Sequence, residues 1–225
     1  MHELRGPLTV IDGYAALLLE GDSGVLDEEV ERQLATIRRQ ATHARTLAED
    51  LLILARIESD DLGVAHDGIL VNEVVAAAVE RALPRAHLHS GTIEMPRAAD
   101  VRALGDVVLV ARVVDNLLTN AIAYSVLPPS ITVSLTDDGD HALVRVQDNG
   151  PGIEQAEREC IFARFARGAH TGATKGTGLG LYLSRECARR MGGDLVLEES
   201  APNAGSRFLL SLPSAQDRAH DPAPA

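Results

Sequence analysis

The chain has 225 residues, of which 45% are hydrophobic and 24% charged, a composition typical of a folded protein with one or two domains. Its 33 acidic and 21 basic side chains give a net charge of −12, which argues against nucleic acid and anionic membranes as partners. We expect Cys160 and Cys187, which lack metal-like spacing, to be buried thiols in a reducing compartment. No apolar run is expected to reach the roughly 18 to 20 residues of a membrane span, so no membrane contact is predicted.

Residues 1–60 are predicted to form a helical hairpin for dimerisation. Apolar residues recur at three- and four-residue steps over 4–18 and again over 30–54, with a glycine-containing turn at 21–24 between them. A hairpin alone cannot bury both apolar stripes, whereas two hairpins can bury them in a four-helix bundle. The pattern therefore predicts a homodimer through this segment.

A linker is expected at 61–70, followed by a domain of mixed secondary structure over 71–213 and a disordered tail at 214–225. Helices are predicted at 72–83, 106–124 and 178–191, and strands at 92–95, 100–103, 131–135, 142–147, 194–197 and 207–212. Helices on a mixed sheet make a two-layer α/β sandwich, so the whole chain is predicted to be α+β.

Asn116 and Asn120 lie four residues apart on a predicted helix, so their side chains share one face. Amide oxygens suit Mg²⁺, which takes few protein ligands and completes its shell with phosphates and water. A lone pair of asparagines is more often only a polar helix face. The metal interpretation therefore depends on other motifs.

Two glycine-rich segments follow. Residues 148–152 (DNGPG) come directly after a predicted strand, where a buried Asp148 can accept a hydrogen bond from an exocyclic amino group such as that of adenine. Taken alone, this segment fits a tight turn with a solvated aspartate better. Residues 175–181 (KGTGLGL) lead into a helix, where free backbone N–H groups can face phosphates. They do not form a Walker loop, because no Gly-Lys-Ser/Thr follows.

In this order and spacing, the three segments resemble the N-box and the two glycine boxes of the bacterial sensor histidine kinases, whose ATP-binding domain is of the GHKL ATPase type. Between the glycine boxes, residues 161–168 (IFARFARG) resemble the F-box of that family. Residues 2–8 (HELRGPL) resemble its H-box, whose histidine accepts the phosphoryl group. The resemblance extends over 2–213.

The resemblance implies an ATP-dependent protein-histidine kinase of two-component signal transduction. His2 would attack the γ-phosphate of ATP, with Glu3 as the base, and would donate the phosphoryl group to an aspartate of a response regulator receiver domain. The catalytic portion would be cytoplasmic, and the parent protein would be anchored in the inner or plasma membrane.

The resemblance also implies the residues of an ATP and Mg²⁺ site. Asn120 would hold Mg²⁺ and Asp148 would bind adenine. The other implied ATP-binding residues are Asn116, Tyr124, Gly150, Gly152, Ile153, Phe162, Arg164, Arg167, Lys175, Gly176, Thr177, Gly178, Leu179, Gly180, Leu181 and Ser206. Arg164 and Arg167 fit surface charges as well as phosphate contacts.

Three departures from the family pattern bear on activity. Ala123 stands where the family often has a cation, so we expect Lys175, the one lysine of the chain, to take that role. Gly6 stands where phosphatase activity is associated with Thr or Asn, so weak or absent phosphatase activity is expected. His2 directly follows the first residue, so we expect a fragment or a truncated start, in which ATP binding survives better than phosphotransfer.

Two other hypotheses stay open. A degenerate kinase fragment could act as an ATP-binding dimerisation scaffold, which Ala123 and Gly6 slightly favour. Another ATPase of the same fold, of the chaperone or mismatch-repair type, is opposed by the H-box and the hairpin.

Overall fold

A computed structural model of the chain describes residues 2–19, 27–166 and 177–215, with 2–7 described by their backbone alone. The chain divides into two compact units, 1–62 and 63–225. In its described part, the first unit consists of two long helices and the second combines helices with a mixed sheet.

The first unit contains α1 (His2–Leu19) and α2 (Glu28–Glu58). Asp27 caps α2, because its side chain accepts a hydrogen bond from the Glu29 N–H at 2.8 Å. The two helices are joined by an ion pair of 3.3 Å between Asp12 Oδ1 and Arg38 Nε. These bounds agree with the predicted hairpin, and the turn predicted at 21–24 lies outside the described residues.

Few of the described side chains of these two helices are buried: Ala15 of α1, and Ala41, Asp50 and Ile57 of α2. Several larger apolar side chains of both helices are exposed. The exposed ones are Val10, Ile11, Tyr14 and Leu17 on α1, and Val30, Ile37 and Leu51 on α2. Such a stripe on a single hairpin is the surface that a four-helix bundle would cover.

The second unit is built on a five-stranded sheet with the strand order β2-β4-β5-β7-β6. Its strands are β2 (Thr92–Glu94), β4 (Ser130–Asp137), β5 (His141–Gln147), β6 (Asp194–Ser200) and β7 (Ser206–Pro213). β2 pairs with β4 in parallel, and the other neighbours are antiparallel. A separate antiparallel pair joins β1 (Asp67–Leu70) to β3 (Arg102–Gly105).

The helices of this unit are α3 (Val71–His87), α4 (Val107–Tyr124) and α5 (Gly180–Arg190). Alternate residues of β4 and β5 are buried toward them: Ile131, Val133, Leu135, Ala142, Val144 and Val146. The buried side of α4 carries Leu109, Val110, Val113, Val114, Leu117 and Leu118. One helical layer on one sheet confirms the predicted two-layer α/β sandwich.

Two predictions about the start of this unit were wrong in detail. The second half of the predicted linker is strand β1, because Ile69 buries its side chain and β1 pairs with β3. Helix α3 continues to His87 instead of ending at residue 83. Pro84 lies inside the helix, where the buried Ala82 and Ala86 keep the last turn packed.

Residues 214 and 215 correct the prediction of a disordered tail from residue 214. The Ser214 N–H donates to the Asp140 carbonyl at 2.8 Å, and the Ser214 hydroxyl donates to Asp137 Oδ2 at 3.0 Å. The Ala215 N–H donates to the Arg102 carbonyl at 3.1 Å, which joins the end of β7 to β3. The rest of the predicted tail, 216–225, lies outside the described residues.

Two further expectations need correction. Cys187 is buried as predicted, and burial raises the pKa of its thiol to about 11, but Cys160 is exposed. Helix α4 is long and apolar enough, by length and composition alone, to cross a membrane, contrary to expectation. Its apolar side packs against α3 and α5 within the second unit, as in the core helix of a globular domain.

The contacts of residues 214 and 215 predict that they stabilise the second unit. A chain that ends at Pro213 loses three hydrogen bonds, and we expect its free energy of unfolding to fall by about 2 to 4 kcal/mol. A chain that ends at Ala215 is the matched control, because it keeps all three bonds. Urea unfolding of both chains measures the difference, and equal stabilities would contradict the role given to Ser214 and Ala215.

Candidate functional site

The carboxylate of Asp148 lies just beyond β5 and is held by backbone groups. Its Oδ1 accepts hydrogen bonds from the N–H of Gly150 at 2.8 Å and of Ser206 at 3.2 Å. The Asp148 N–H donates to the Ser206 carbonyl at 2.9 Å. Burial raises the pKa of Asp148 above its usual range, while the two N–H donors act in the opposite direction. Because both bonds to the carboxylate use Oδ1, Oδ2 is the oxygen that can accept a hydrogen bond from a ligand.

Three glycines allow the backbone segments around Asp148 to pack closely on one another. A Cβ at Gly150 would lie 2.7 Å from Asp148 Oδ1 and 2.8 Å from the Tyr124 carbonyl oxygen. Gly152 and Gly205 both have φ +79°, where a Cβ would lie 2.0 Å from the Ala201 carbonyl oxygen and 1.9 Å from that of Asp148, respectively. Glycine is therefore required at these positions both by space and, at two of them, by conformation.

Ser200 connects the two loops around Asp148. Its hydroxyl accepts a hydrogen bond from the Ile153 N–H at 2.8 Å and contacts the Gly205 carbonyl at 3.1 Å and the Ser206 hydroxyl at 3.0 Å. The predicted residues Ile153 and Ser206 thus meet through a residue that the sequence analysis missed. Gly205 was also missed as a site residue. The sequence signal that could have identified Gly205 is its position directly before Ser206, at the start of the last predicted strand.

Asn149 is a third residue that the sequence analysis did not select. Its Oδ1 accepts a hydrogen bond from the Ser130 N–H at 3.0 Å, and its Nδ2 donates to the carbonyls of Val126 at 3.2 Å and Pro128 at 3.1 Å. This side chain therefore fastens the loop after α4 to the end of β5. It holds the C-terminal end of α4 beside Asp148.

The predicted polar face of α4 points toward the start of α5. Asn116 Nδ2 donates to the Ser184 hydroxyl at 2.9 Å, and a Cβ at Gly180 would lie 2.5 Å from Asn116 Oδ1. Asn120 follows one turn later and is half-buried, and Tyr124 follows one turn after that, 37% exposed. Along α4, Asn116 therefore lies at the contact with α5, and Asn120 lies one turn nearer to the loop that contains Asp148.

The second glycine segment leads into α5, as predicted. Gly178 has φ +71°, and its position excludes a side chain because a Cβ would lie 2.6 Å from the Phe165 carbonyl carbon. The Thr177 hydroxyl accepts a hydrogen bond from the Leu179 N–H at 3.1 Å. Leu179 is buried, and α5 begins at Gly180, two residues later than predicted, because Gly178 has left-handed backbone angles. Leu181 in its first turn is half-buried.

Two of the predicted F-box residues pack against the domain. Phe162 meets Phe208 of β7 edge to face, with ring centroids 6.3 Å apart. The guanidinium of Arg164 lies over the Tyr182 ring and donates to its hydroxyl at 2.8 Å. The phosphate contact predicted for Arg164 stays a prediction, and the structure places this side chain against α5.

Several predicted residues cannot be placed relative to this site. Arg167, Lys175 and Gly176 lie outside the described residues. His2 and Glu3 belong to the first unit, where only their backbone, in the first turn of α1, is described. Across 2–19, 27–166 and 177–215, no group of three or more His, Cys, Asp or Glu side chains could hold a metal ion.

A polar cavity of about 240 Å³ lies near the end of β5, lined by Ser130, Thr132, Gln147, Asp148, Asn149, Asn203 and Ala204. Ser130, Thr132 and Gln147 belong to the exposed side of the sheet, opposite the helices. Asn116 and Asn120 of α4 and Gly180 of α5 are not part of this cavity. We therefore place the candidate site on the helical side, between Asp148, α4 and the start of α5.

Comparisons with known proteins bear directly on this site. Residues 105–216 match the family described as the histidine kinase-, DNA gyrase B-, and HSP90-like ATPase, and residues 1–60 match the His Kinase A (phospho-acceptor) domain. The chain belongs to the bacterial two-component sensor histidine kinases. The ATPase match contains α4, Asp148 and α5, and the phospho-acceptor match contains His2.

Individual relatives are similar over nearly the whole chain. The signal transduction histidine-protein kinase/phosphatase MprB of Mycobacterium sp. (strain KMS) is 34% identical over 221 residues, 94% of this chain and 42% of MprB. The sensor protein KdpD of Escherichia coli (strain K12) is 32% identical over 213 residues, 94% of this chain and 23% of KdpD. The chain thus spans less than half the length of these two curated relatives.

Solved structures show the same fold. The mycobacterial sensor histidine kinase MprB structure is 28% identical, with a TM-score of 0.59, and the match covers 66% of this chain and 98% of that one. Full-length ShkA, solved in complex with AMPPNP, is 24% identical, with a TM-score of 0.73, covering 95% of this chain and 44% of ShkA. This sensor histidine kinase chain therefore has the fold of known histidine kinase catalytic regions.

The close approach of Gly205 to Asp148 gives a stability prediction. We expect Gly205→Ala to lower the free energy of unfolding by about 3 kcal/mol or more, because the Cβ adds a clash to the strain of a positive φ. Gly139→Ala is the matched control, since Gly139 has φ +101° with open space around it, and should cost about 1 to 2 kcal/mol. Equal losses in urea unfolding would show that the clash with the Asp148 carbonyl does not matter.

Proposed function

We propose that this chain is an autokinase core that binds ATP with Mg²⁺, phosphorylates His2 and donates the phosphoryl group to an aspartate of a response regulator receiver domain. The observation that carries the proposal is the buried Asp148 carboxylate, oriented by two backbone N–H groups inside a glycine-lined turn. Helix α4, whose last residue Tyr124 lies beside Gly150, presents Asn116 and Asn120 on one face.

Asp148 fits adenine in particular. With Oδ1 occupied by Gly150 and Ser206, Oδ2 can accept a hydrogen bond from the exocyclic amino group of the base. Guanine carries a carbonyl oxygen at the corresponding position, and two acceptors facing each other in a buried site repel. The site should therefore select ATP over GTP. Gly150 keeps a side chain out of the space beside the carboxylate, and Gly152 allows the same turn to pack against the Ala201 carbonyl.

Asn120 is the proposed Mg²⁺ ligand, because its amide offers a neutral oxygen one helical turn beyond Asn116. Asn116 is tied to Ser184 of α5, so its proposed part is to hold α4 against the glycine-rich start of α5. When bound, the ion would neutralise charge on the β- and γ-phosphates. The predicted cations Lys175 and Arg167 would add to this on the phosphate side.

The chemistry at His2 is a balanced exchange of one bond for another. The neutral imidazole of His2 attacks the γ-phosphorus of ATP, an N–P bond forms, and the bond from the γ-phosphorus to the leaving oxygen of ADP breaks. The second ring nitrogen then sheds its proton, and Glu3, the next residue, is the proposed acceptor. The phosphohistidine keeps the phosphoryl group in a reactive form for transfer to a carboxylate.

The hairpin of α1 and α2 is the proposed dimer interface and the site of phosphotransfer. Its exposed stripe, from Val10 to Leu17 on α1 and from Val30 to Leu51 on α2, is the apolar surface that a second copy would bury. We assign the catalytic portion to the cytoplasm and the parent protein to the inner or plasma membrane, as in a sensor kinase with parts beyond this chain.

The kinase proposal and the scaffold hypothesis differ in one measurable product, because only a kinase forms phosphohistidine. Autophosphorylation should place acid-labile, base-stable label from γ-labelled ATP on the chain, and His2→Ala should abolish it. His43→Ala, which removes a histidine of α2, is the matched control and should keep the label. Label that survives in His2→Ala, or ATP hydrolysis without label, would contradict the kinase proposal, and ATP binding without either would support a scaffold.

The role of Asp148 gives a second prediction. Asp148→Asn keeps an Oδ1 acceptor for Gly150 and Ser206 but presents an amide donor to the adenine amino group. We expect the Kd for ATP to rise about 30- to 100-fold, because a charge-assisted hydrogen bond worth about 2 to 3 kcal/mol is lost. Asp140→Asn, in the turn at the opposite end of β5, should leave the Kd unchanged in calorimetric titrations.

The same two variants, Asp148→Asn and Asp140→Asn, test the raised pKa of Asp148 through the pH dependence of their stability. Because burial raises the pKa of the folded carboxyl, its charged form costs stability, and this cost grows as the pH rises through the folded pKa. Asp148→Asn should therefore be more stable than the unaltered chain at pH 7, with a difference that shrinks on acidification. A difference that is independent of pH, or that also occurs in Asp140→Asn, would contradict the raised pKa.

A further inference from the structure

The hydroxyl of Ser200, the last residue of β6, is buried and uses all of its hydrogen-bonding capacity. Its oxygen accepts a hydrogen bond from the Ile153 N–H at 2.8 Å, and its proton is donated to the Gly205 carbonyl at 3.1 Å. A hydroxyl carries one proton, so Ser206 is the donor in the 3.0 Å contact between the two serine hydroxyls. A buried hydroxyl that is paired in this way holds its neighbours in one arrangement.

Among these neighbours is the peptide group between Gly205 and Ser206, which belongs to the candidate site. Its carbonyl accepts the hydrogen bond from Ser200, and its N–H donates to Asp148 Oδ1 at 3.2 Å. Because a peptide group is planar, fixing the direction of its carbonyl also fixes the direction of its N–H. Ser200 thus orients, through one peptide group, one of the two N–H groups that hold the Asp148 carboxylate.

This peptide group follows a residue with unusual conformational freedom. Gly205 has φ +79°, and glycine has more alternative backbone conformations than any other residue. A rotation of the following peptide group would turn the Ser206 N–H away from Asp148, and the hydrogen bond from Ser200 opposes that rotation. A carbonyl that accepts a hydrogen bond is also polarised by it, which makes the N–H of the same peptide group a stronger donor.

Ser200 is itself held in place by Arg158, a half-buried residue in the segment after the first glycine loop. The guanidinium of Arg158 donates to the Ser200 carbonyl and, at 3.4 Å, to the Ile153 carbonyl. The same two residues are joined by the bond from the Ile153 N–H to the Ser200 hydroxyl. Together these contacts fasten the end of β6 to the loop that begins at Asp148.

We propose that Ser200 is a positioning residue for adenine recognition: its hydroxyl fixes the Gly205–Ser206 peptide group, and this peptide group fixes the Asp148 carboxylate. The inference rests on the proposed ATP site. Without the hydroxyl, the Ser206 N–H samples directions that do not reach Oδ1, and the carboxylate rotates more freely. A less firmly held acceptor discriminates less well between the amino group of adenine and the carbonyl oxygen of guanine.

The test compares the Kd for AMPPNP with that for its guanine counterpart GMPPNP, each with Mg²⁺, in calorimetric titrations of the full chain. Ser200→Ala removes the hydroxyl without adding bulk. We expect the Kd for AMPPNP to rise about three- to tenfold, and the ratio of the GMPPNP Kd to the AMPPNP Kd to fall by a similar factor. A variant that only lost folded protein would raise both Kd values in proportion. Ser200→Cys, which fills the same space with a weak donor and acceptor, should lower the ratio in the same direction.

Ser211→Ala is the matched control, because the Ser211 hydroxyl makes equivalent contacts at the opposite end of the β6–β7 pair. It accepts a hydrogen bond from the Asp194 N–H at 3.1 Å and donates to the Asp194 carbonyl at 3.3 Å. This variant should keep both Kd values of the unaltered chain, although it also loses two hydrogen bonds.

Thermal unfolding of the same variants separates positioning from stability. If Ser200→Ala and Ser200→Cys lower the melting temperature but leave the ratio of the two Kd values unchanged, Ser200 is merely structural and the inference is overturned. If the unaltered chain and Ser211→Ala bind AMPPNP no better than GMPPNP, the proposed adenine contact of Asp148 itself fails. That result differs from a loss of selectivity, or its absence, in the Ser200 variants alone.

Discussion

The second unit of this chain is organised around one buried carboxylate. Asp148 sits just after β5, and the N–H groups of Gly150 and Ser206 both donate to its Oδ1. A buried charge needs such donors, since water is excluded from it. Close backbone packing explains the glycines nearby, because a Cβ at Gly150 would clash with Asp148 Oδ1, one at Gly205 with the Asp148 carbonyl oxygen, and one at Gly152 with the Ala201 carbonyl oxygen. The adenine selectivity that we propose is a property of this local backbone arrangement.

The rest of the domain brings distant residues to this point. The sheet fixes the end of β5 beside the start of β7, and Asn149 fastens the loop after α4 to the same place. Asn116 and Gly180 meet across α4 and α5, so the polar face of α4 and the glycine-rich segment border one space. The proposed adenine contact, the proposed Mg²⁺ ligand and the start of α5 are thus positioned by the packing of apolar helix faces on an apolar sheet face.

Much of this arrangement was predictable where local chemistry and tertiary structure agree. The alternation in β4 and β5 and the bounds of α4 appear near their predicted positions, and the described part of the second glycine segment leads into α5 as expected. The sequence-based predictions failed where the structure depends on contacts between residues that are far apart in the sequence. Ser200 has no local signal, because its role exists only when β6 lies beside residues 153 and 206. Strand β1, the ordered Ser214 and the pairing of Arg164 with Tyr182 likewise depend on partners far away in sequence.

We propose that Asp148 binds the adenine amino group through Oδ2 while the Asn120 amide oxygen coordinates the metal ion on the phosphates. A crystal structure of this chain with AMPPNP and Mg²⁺ would show both contacts at once. We expect the adenine amino group within hydrogen-bond distance of Asp148 Oδ2, with Oδ1 still bound to the N–H of Gly150 and Ser206, and the Asn120 amide oxygen on Mg²⁺. Adenine bound on the exposed face of the sheet, or with its amino group away from Asp148, would contradict this proposal.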